Sequence, residues 1–235
     1  MVILKKIRKW QVDKMENIIE TSNLKKYYKR GSEVVKALDG VDFNINSREI
    51  VSVVGPSGSG KTTFMNIIGC LDSPTDGSLR ISGQDVTGFK ESQLVKIRRK
   101  NIGFIFQRFH LIPTLTIKEN IELPLIFAKE KPDNAKIMAL MERVGLKGKE
   151  NLRANMVSGG DKQKVSIVRA LIYNPKILIA DEPTGRLESK ERNEIMKLFR
   201  ELTESGYAII IATHDMSIAE ESDRIINLQD GRILQ

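Results

Sequence analysis

The chain has a single cysteine, Cys70, among its 235 residues. That excludes an internal disulfide and a cysteine-rich zinc site, and it fits a reducing, cytoplasmic setting. The thiol reads as a small buried side chain on the helix that follows the glycine-rich loop described below. Long apolar runs are missing as well. The most apolar stretches, such as Ile177-Leu178-Ile179-Ala180, are strand-sized, whereas a spanning helix needs about 20 apolar residues. The chain is therefore expected neither to cross a bilayer nor to insert itself permanently, and any membrane role must come from a partner. A secretory leader would need an apolar core and a small-residue cleavage site after the first charges, and neither is present.

What is present is ordinary globular apolar content, 40%, with a formal charge of +8. Such a charge suits nucleic acid, anionic lipid or a polyphosphate and does not choose among them. Much of the excess lies near the start, at Lys5, Lys6, Arg8, Lys9, Lys14, Lys25, Lys26, Lys29 and Arg30. Residues 1–16 read as a basic N-terminal extension. Its two readings are a loosely ordered terminus and a short basic helix lying on a membrane surface.

The strongest signal is Gly55-Pro56-Ser57-Gly58-Ser59-Gly60-Lys61-Thr62-Thr63, preceded by the apolar run Ile50 to Val54. A strand delivering a glycine-rich loop to a helix N-terminus lets consecutive backbone N–H groups curl around a polyphosphate. Gly55, Ser57, Gly58, Ser59 and Gly60 supply that wrapping. Lys61 reaches the β- and γ-phosphates, the Thr62 hydroxyl ligates Mg²⁺, and Thr63 touches the α-phosphate. The expected ligands are ATP and Mg²⁺.

Ahead of this loop, alternating apolar residues predict short strands at 17–24, 33–38, 41–46 and 49–54, broken by Gly31 and Asp39-Gly40, an antiparallel β lobe. Tyr28 falls in the turn between the first two and is preferred over Tyr27 as the aromatic face for a purine ring. Further on, Ile102 to Phe106 predicts a buried strand ending in Gln107. That amide is either a plain polar terminus or a ligand for Mg²⁺ and water. Thr116 and Glu119 have capping-box spacing and start a helix running to about Pro124. Ile137, Leu140, Met141 and Val144 predict an amphipathic helix ending at Gly145, its methionines in the core. Residues of about 89–175 thus read as a mainly helical subdomain.

Val157-Ser158-Gly159-Gly160-Asp161 opens another helix, and its serine and glycines make a second anion site at a helix N-terminus. The strand 176–180 ends in Asp181-Glu182. Beside a phosphate loop, Asp181 holds Mg²⁺ through water and Glu182 orients or deprotonates the attacking water. The strand 208–212 ends in Thr213-His214, and His214 can donate to a γ-phosphate from the edge where such sheets bind ligands. Around Asp230-Gly231, segments 224–228 and 232–234 predict a closing hairpin.

With these features in this order, GPSGSGKTT, IGFIFQ, VSGGDKQK, ILIADEPTG, GRLES and ATHD, the chain resembles the nucleotide-binding subunits of ABC transporters. The stretches IIGCLDSPTDG and FHLIPTLTIKENIELPL resemble the lipoprotein-release and macrolide-exporter group. The resemblance covers residues of about 17–234. It implies an α/β P-loop NTPase core with an antiparallel β lobe and a helical subdomain, here residues 17–235. In such a fold Ser158 and Gly160 bind the γ-phosphate held by the opposite subunit, so ATP glues a head-to-tail homodimer, or a heterodimer with a related subunit. Tyr28, Lys61, Thr62, Gln107, Asp181, Glu182 and His214 carry over as site residues, with Glu182, His214 and Gln107 catalytic. The implied partner is a transmembrane permease, its coupling helix resting near residues 108–127, with the chain peripheral on the inner face of the cell membrane. No nucleic acid partner is expected. DNA-repair heads of the same type carry long insertions, and only residues 108–156 separate Gln107 from Val157. A relative that pulls on a membrane partner without moving solute stays open.

Several residues depart from the family pattern: Val157, Asp161, Lys164, Arg186 and Glu188. Asp161 would be repelled by a nearby nucleotide unless Lys162 or Lys164 compensates it. Glu188 adds a methylene at a subunit contact. A slow ATPase whose dimer closes less readily is expected.

Overall fold

The computed structural model describes residues 16–234; the basic segment 1–15 lies outside the described residues. In chain order the elements are β1 (Asn17–Arg30), β2 (Glu33–Asn46), β3 (Ile50–Val54), α1 (Lys61–Ile68), β4 (Asp76–Ile81), β5 (Gln84–Asp85), α2 (Glu91–Asn101) and β6 (Ile102–Phe106). Then follow α3 (Ile117–Phe127), α4 (Asn134–Arg143), a 3₁₀ turn (Ala154–Met156), α5 (Gly159–Leu171), β7 (Ile177–Asp181), α6 (Ser189–Glu204), β8 (Ala208–Ala212), α7 (Met216–Ala219), β9 (Arg224–Gln229) and β10 (Arg232–Leu234). Two sheets form: an antiparallel one in the order β2-β1-β4-β5 and a six-stranded one in the order β10-β9-β3-β8-β7-β6. In the larger sheet β9, β3, β8, β7 and β6 are parallel, and β10 closes the edge as an antiparallel hairpin with β9.

The larger sheet is covered on both faces, which is why its strands read as unbroken apolar runs rather than as alternations. Successive side chains still point to opposite sides. Val51 and Val53 of β3, Ile177 and Ile179 of β7, and Ile210 of β8 pack with Phe43, Phe64 and Ile68 under the antiparallel lobe and α1. Ile50, Leu178, Ala180, Ile209 and Ile211 pack on the other face against Ile121, Val165, Val168 and Phe199 of the helical layer. Phe43 and Phe64 meet edge to face, centroids 5.2 Å apart, fastening the lobe to α1. Cys70, just beyond α1, is buried, and burial pushes its thiol up to about 12; it is unreactive at neutral pH.

Three local expectations change. The segments 33–38 and 41–46, expected as two short strands, are one long strand, β2, and β1 runs on past Leu24 to Arg30. Gly40 is the extra residue of a bulge, since Leu24 pairs with Val41 and Lys25 with Asp39, and its φ of +91° is one that glycine adopts without strain. Tyr28 lies within β1, opposite Val35, and the turn itself is at Gly31-Ser32. Helix α3 continues past Pro124 to Phe127. Tyr173 donates to the Pro124 carbonyl at 3.2 Å, a tertiary bond at the turn that proline weakens. Within the mainly helical stretch 89–175, the buried strand expected at 102–106 is β6, which joins the large sheet by pairing with β7.

Candidate active site at the carboxyl edge of the large sheet

Register decides what meets here. Phe106 pairs with Asp181, Asp181 with Ala212, and Ala212 with Val53. Four parallel strands therefore end level, and the residues that follow, Gln107, Glu182, Thr213-His214 and Gly55, leave the sheet along one edge. Segments separated by tens of residues in sequence become neighbours through backbone pairing alone.

At the centre of that edge β3 feeds the loop from Gly55 to Gly60. A Cβ at Gly55 would lie 2.1 Å from the Leu228 carbonyl oxygen, and one at Gly60 would lie 2.4 Å from that of Ala37. Gly60 has φ +104° and is the N-cap of α1. Only glycine lets the loop pass this close to β9 and β2. Lys61 Nζ donates to the carbonyls of Gly55 and Pro56 at 2.7 and 2.9 Å, curling across the loop. A cleft of about 540 Å³ opens beside it, lined by Ser57, Gly58, Gly60, Lys61, Thr62 and Thr63, with Val35 and Asp230 on its far walls. Ser59 Oγ is buried and has no protein partner.

Tyr28 borders this region. Its hydroxyl donates to Asp72 at 2.9 Å and its ring is half exposed, with the Lys26 ammonium 5.1 Å from the ring centre. As the cross-strand partner of Val35 it shares the face that lines the cleft. Tyr27 points the other way, donating to Asp39.

The acidic pair ends β7. Asp181 is half-buried; burial first, then the Glu182 charge, raise its carboxyl above the usual range, and Lys61 partly offsets both. Glu182 adopts φ +47°, a strained backbone for a non-glycine residue. It is over-determined by hydrogen bonds: its N–H donates to the Ala212 carbonyl, and its carboxylate accepts from the His214 N–H at 3.0 Å and the Thr213 hydroxyl at 3.1 Å. His214 Nδ1 lies 2.6 Å from the same carboxylate, while the rest of the ring faces solvent. Gln107 Nε2 would come within 2.9 Å of a Cβ at Gly185, whose N–H donates to the Glu182 carbonyl. The amide is thus seated beside the acidic turn.

Ser158 and Gly160 are not part of this cleft. Ser158 caps α5, its hydroxyl accepting from the Asp161 N–H at 3.1 Å. The Gly160 N–H donates to Glu191 Oε1 at 2.8 Å. Asp161 is paired with Lys149 at 2.6 Å and not with Lys162 or Lys164; Lys164 turns to Glu194 at 2.8 Å. The lysine that compensates Asp161 was missed because it sits on another segment. Glu191, Thr213 and Lys149 are the site neighbours that sequence reasoning passed over. Thr213 had a signal, its place between strand end and histidine; Glu191 and Lys149 had none.

A second groove, about 420 Å³, lies where β6 meets the helical layer, lined among others by Phe104, Phe106, His110, Pro124, Arg169 and Tyr173. Phe104 and Phe106 stack at 5.8 Å, and His110 packs edge-on to Phe106. Ile126 and Phe127 project from the end of α3, exposed. Among the described residues no helix is long and apolar enough to cross a membrane.

The model of the ABC transporter family matches residues 38–185. An uncharacterized ABC transporter ATP-binding protein of Bacillus subtilis, YknY, is 42% identical over 221 residues, 92% of this chain and 95% of that one. The macrolide export ATP-binding/permease protein MacB of Nitrosomonas europaea is 44% identical over 220 residues, and the chain spans only 33% of its length. Among solved structures, the dimeric structure of MJ0796, a bacterial ABC transporter cassette, superposes with a TM-score of 0.82 at 43% identity, covering 93% of this chain and 97% of that one. The dimeric post-hydrolysis state of the same cassette with ADP and Pi superposes at 0.83 with 42% identity, again covering 93% and 97% of the two chains.

Proposed function

The chain belongs to the ABC transporter family as an ATP-binding, ATP-hydrolysing cassette, and from that premise we propose that it drives a separate membrane permease through ATP-dependent head-to-tail dimerisation. The observation that carries this reading is the level ending of β3, β6, β7 and β8. It gathers Lys61, Gln107, Asp181, Glu182 and His214 on one edge and leaves Ser158 and Gly160 off the cleft, where only a second copy could bring a nucleotide to them.

The residues fit the ligands. Gly55 and Gly60 leave a cradle that a Cβ would fill, and the buried Ser59 hydroxyl lacks a protein partner. Backbone N–H groups of residues 57–62 and the Lys61 ammonium bind the phosphates, and the Tyr28 ring takes the base. Thr62, Gln107 and Asp181 offer a hydroxyl, an amide and a carboxylate, an all-oxygen set of low charge that suits Mg²⁺, which keeps several waters. When bound, the cation supplies charge neutralisation at the phosphates. A cation beside Asp181 would also offset the burial and, after it, the Glu182 repulsion that raise its carboxyl.

In hydrolysis Glu182 takes the proton of the attacking water. Thr213 and the His214 backbone aim its carboxylate, so its direction does not depend on the substrate. His214, exposed on the other side, donates to the γ-phosphate. The aromatic groove at β6 and the apolar end of α3 receive the permease, in keeping with residues 108–127 as its contact. Lys149 neutralises Asp161, so repulsion from that carboxylate is a weak reason for slow turnover.

The test has two arms. With Glu182→Gln blocking hydrolysis, MgATP should convert the purified chain from monomer to dimer in size exclusion. An affinity-tagged chain taken from gently solubilised membranes should bring with it a polytopic membrane protein. A chain that stays monomeric with MgATP even beside its permease refutes the reading.

A further inference from the structure

The first turn of α6 reaches across to the N-terminus of α5. Glu191 Oε1 accepts the Gly160 N–H at 2.8 Å, and its carboxyl is held below the usual carboxylate range by the Gly160 N–H first and, to a lesser degree, by the neighbouring Ser158 side chain. A Cβ built on Gly160 would lie within 2.9 to 3.1 Å of three Glu191 side-chain atoms, so the carboxylate rests directly on this glycine. The next residue, Arg192, pairs with Asp215 at 2.7 Å, one position after His214. One helical turn thus holds both the start of α5 and the loop that carries His214.

The Gly160 N–H and the Ser158 hydroxyl are the donors that the proposed function assigns to the γ-phosphate held by the opposite subunit. A helix N-terminus favours an anion because its free N–H groups and dipole point outward. Here that anion comes from the chain itself. The Gly160 N–H, foremost among several hydrogen bonds, holds Glu191 below the usual carboxylate range, so it is charged at neutral pH. A triphosphate arriving from a second copy would meet a like charge on the donors it needs.

Resting on that reading, we propose that Glu191 is a built-in competitor for the partner's γ-phosphate, a carboxylate that must leave Gly160 and Ser158 before two copies close on ATP. Glu191 sets the threshold for closure without touching the chain's own nucleotide cleft. If closure is slow, as the sequence departures lead one to expect, this contact gives a reason for it that the Asp161 carboxylate, paired with Lys149, does not.

The experiment uses the full chain with Glu182→Gln throughout, in MgATP, and measures the dimer dissociation constant by analytical ultracentrifugation. Glu191→Gln keeps the shape and removes the charge; Glu191→Ala removes the contact. Both should lower the dissociation constant at least tenfold, about 1.4 kcal/mol. Glu194→Gln, which removes a charge from the same helix at the Lys164 pair, should not. Affinity of the monomer for a fluorescent ATP analogue should stay within about twofold in all variants, because Glu191 faces the other half of the site. The proposal is overturned if both Glu191 variants dimerise no better than the parent, if Glu194→Gln gains as much, or if the gain appears only in monomer affinity. A parent that dimerises while the Glu191 variants gain nothing sinks this proposal alone. Absence of an ATP-dependent dimer in parent and variants alike sinks the head-to-tail reading and this proposal with it.

Discussion

Replacing Glu182 by glutamine separates its chemistry from its structural role. The carboxylate accepts from the His214 N–H and the Thr213 hydroxyl and lies 2.6 Å from His214 Nδ1. A glutamine of the same shape keeps its oxygen on the His214 N–H and turns its NH₂ toward Thr213 Oγ1, which can accept as well as donate. The number of hydrogen bonds is preserved and only their charge assistance is lost, a cost of about 1 kcal/mol. The left-handed backbone at this position, φ +47°, is the same in both residues, so its strain cancels. In a chain of this size about 1 kcal/mol lowers the melting temperature by roughly 2–4 °C. The amide cannot take a proton from water, and loss of a general base lowers the rate by about 10²–10⁴, or about 3–5 kcal/mol in the barrier. Phosphate release under saturating MgATP, beside a thermal melt of both proteins, reads the two effects separately. Turnover at the parental rate removes Glu182 as the base. A fall in melting temperature well beyond a few degrees assigns it a structural role instead.

Other outcomes follow from the same edge of the sheet. Asp181 binds its proton more tightly in the folded chain than in the unfolded one, so its ionised form costs stability at neutral pH, and that cost disappears as pH falls through the folded value toward the ordinary 3.8. Asp181→Asn should therefore raise the melting temperature at pH 7 without nucleotide or Mg²⁺, with the gain shrinking in acid, while hydrolysis is lost; a variant that melts lower at pH 7 contradicts this. Gly55→Ala sets a methyl 2.1 Å from a backbone oxygen of β9 and should lose about 2–3 kcal/mol or more in chemical denaturation. Gly58→Ala, where nothing lies within 4 Å but φ is +82°, should lose only about 1–2 kcal/mol. Equal denaturation midpoints for the two would show that loop packing against Leu228 does not matter.

Much of this was legible without coordinates because it depends on short-range chemistry. The glycine-rich loop, the acidic pair and the histidine each follow an apolar run, and an apolar run of five residues between turns is a strand wherever it is buried on both faces. The hairpin at Asp230-Gly231 and the caps at Thr116 and Ser158 rest on residues within three positions of each other. Tyr28 was placed in a turn because the apolar alternation stops at Leu24, before Lys25-Lys26, whereas pairing with β2 carries β1 on to Arg30; the same pairing turns the apparent turn at Asp39-Gly40 into a bulge inside a continuous strand.

What the chain order alone determined was which residues carry charge and where each element begins: spacing sets helix caps, alternation sets strand faces, and glycine permits the loop. The tertiary structure decided which charge meets which. Lys162 is adjacent to Asp161 on α5 and cannot face it; Lys164 could, but Glu194 on α6 draws it away, and Lys149 takes its place. The same crossing of α5 and α6 sets Glu191 on Gly160, 31 positions away. Such pairings depend on how two helices pack, and no local pattern encodes the partner that packing brings.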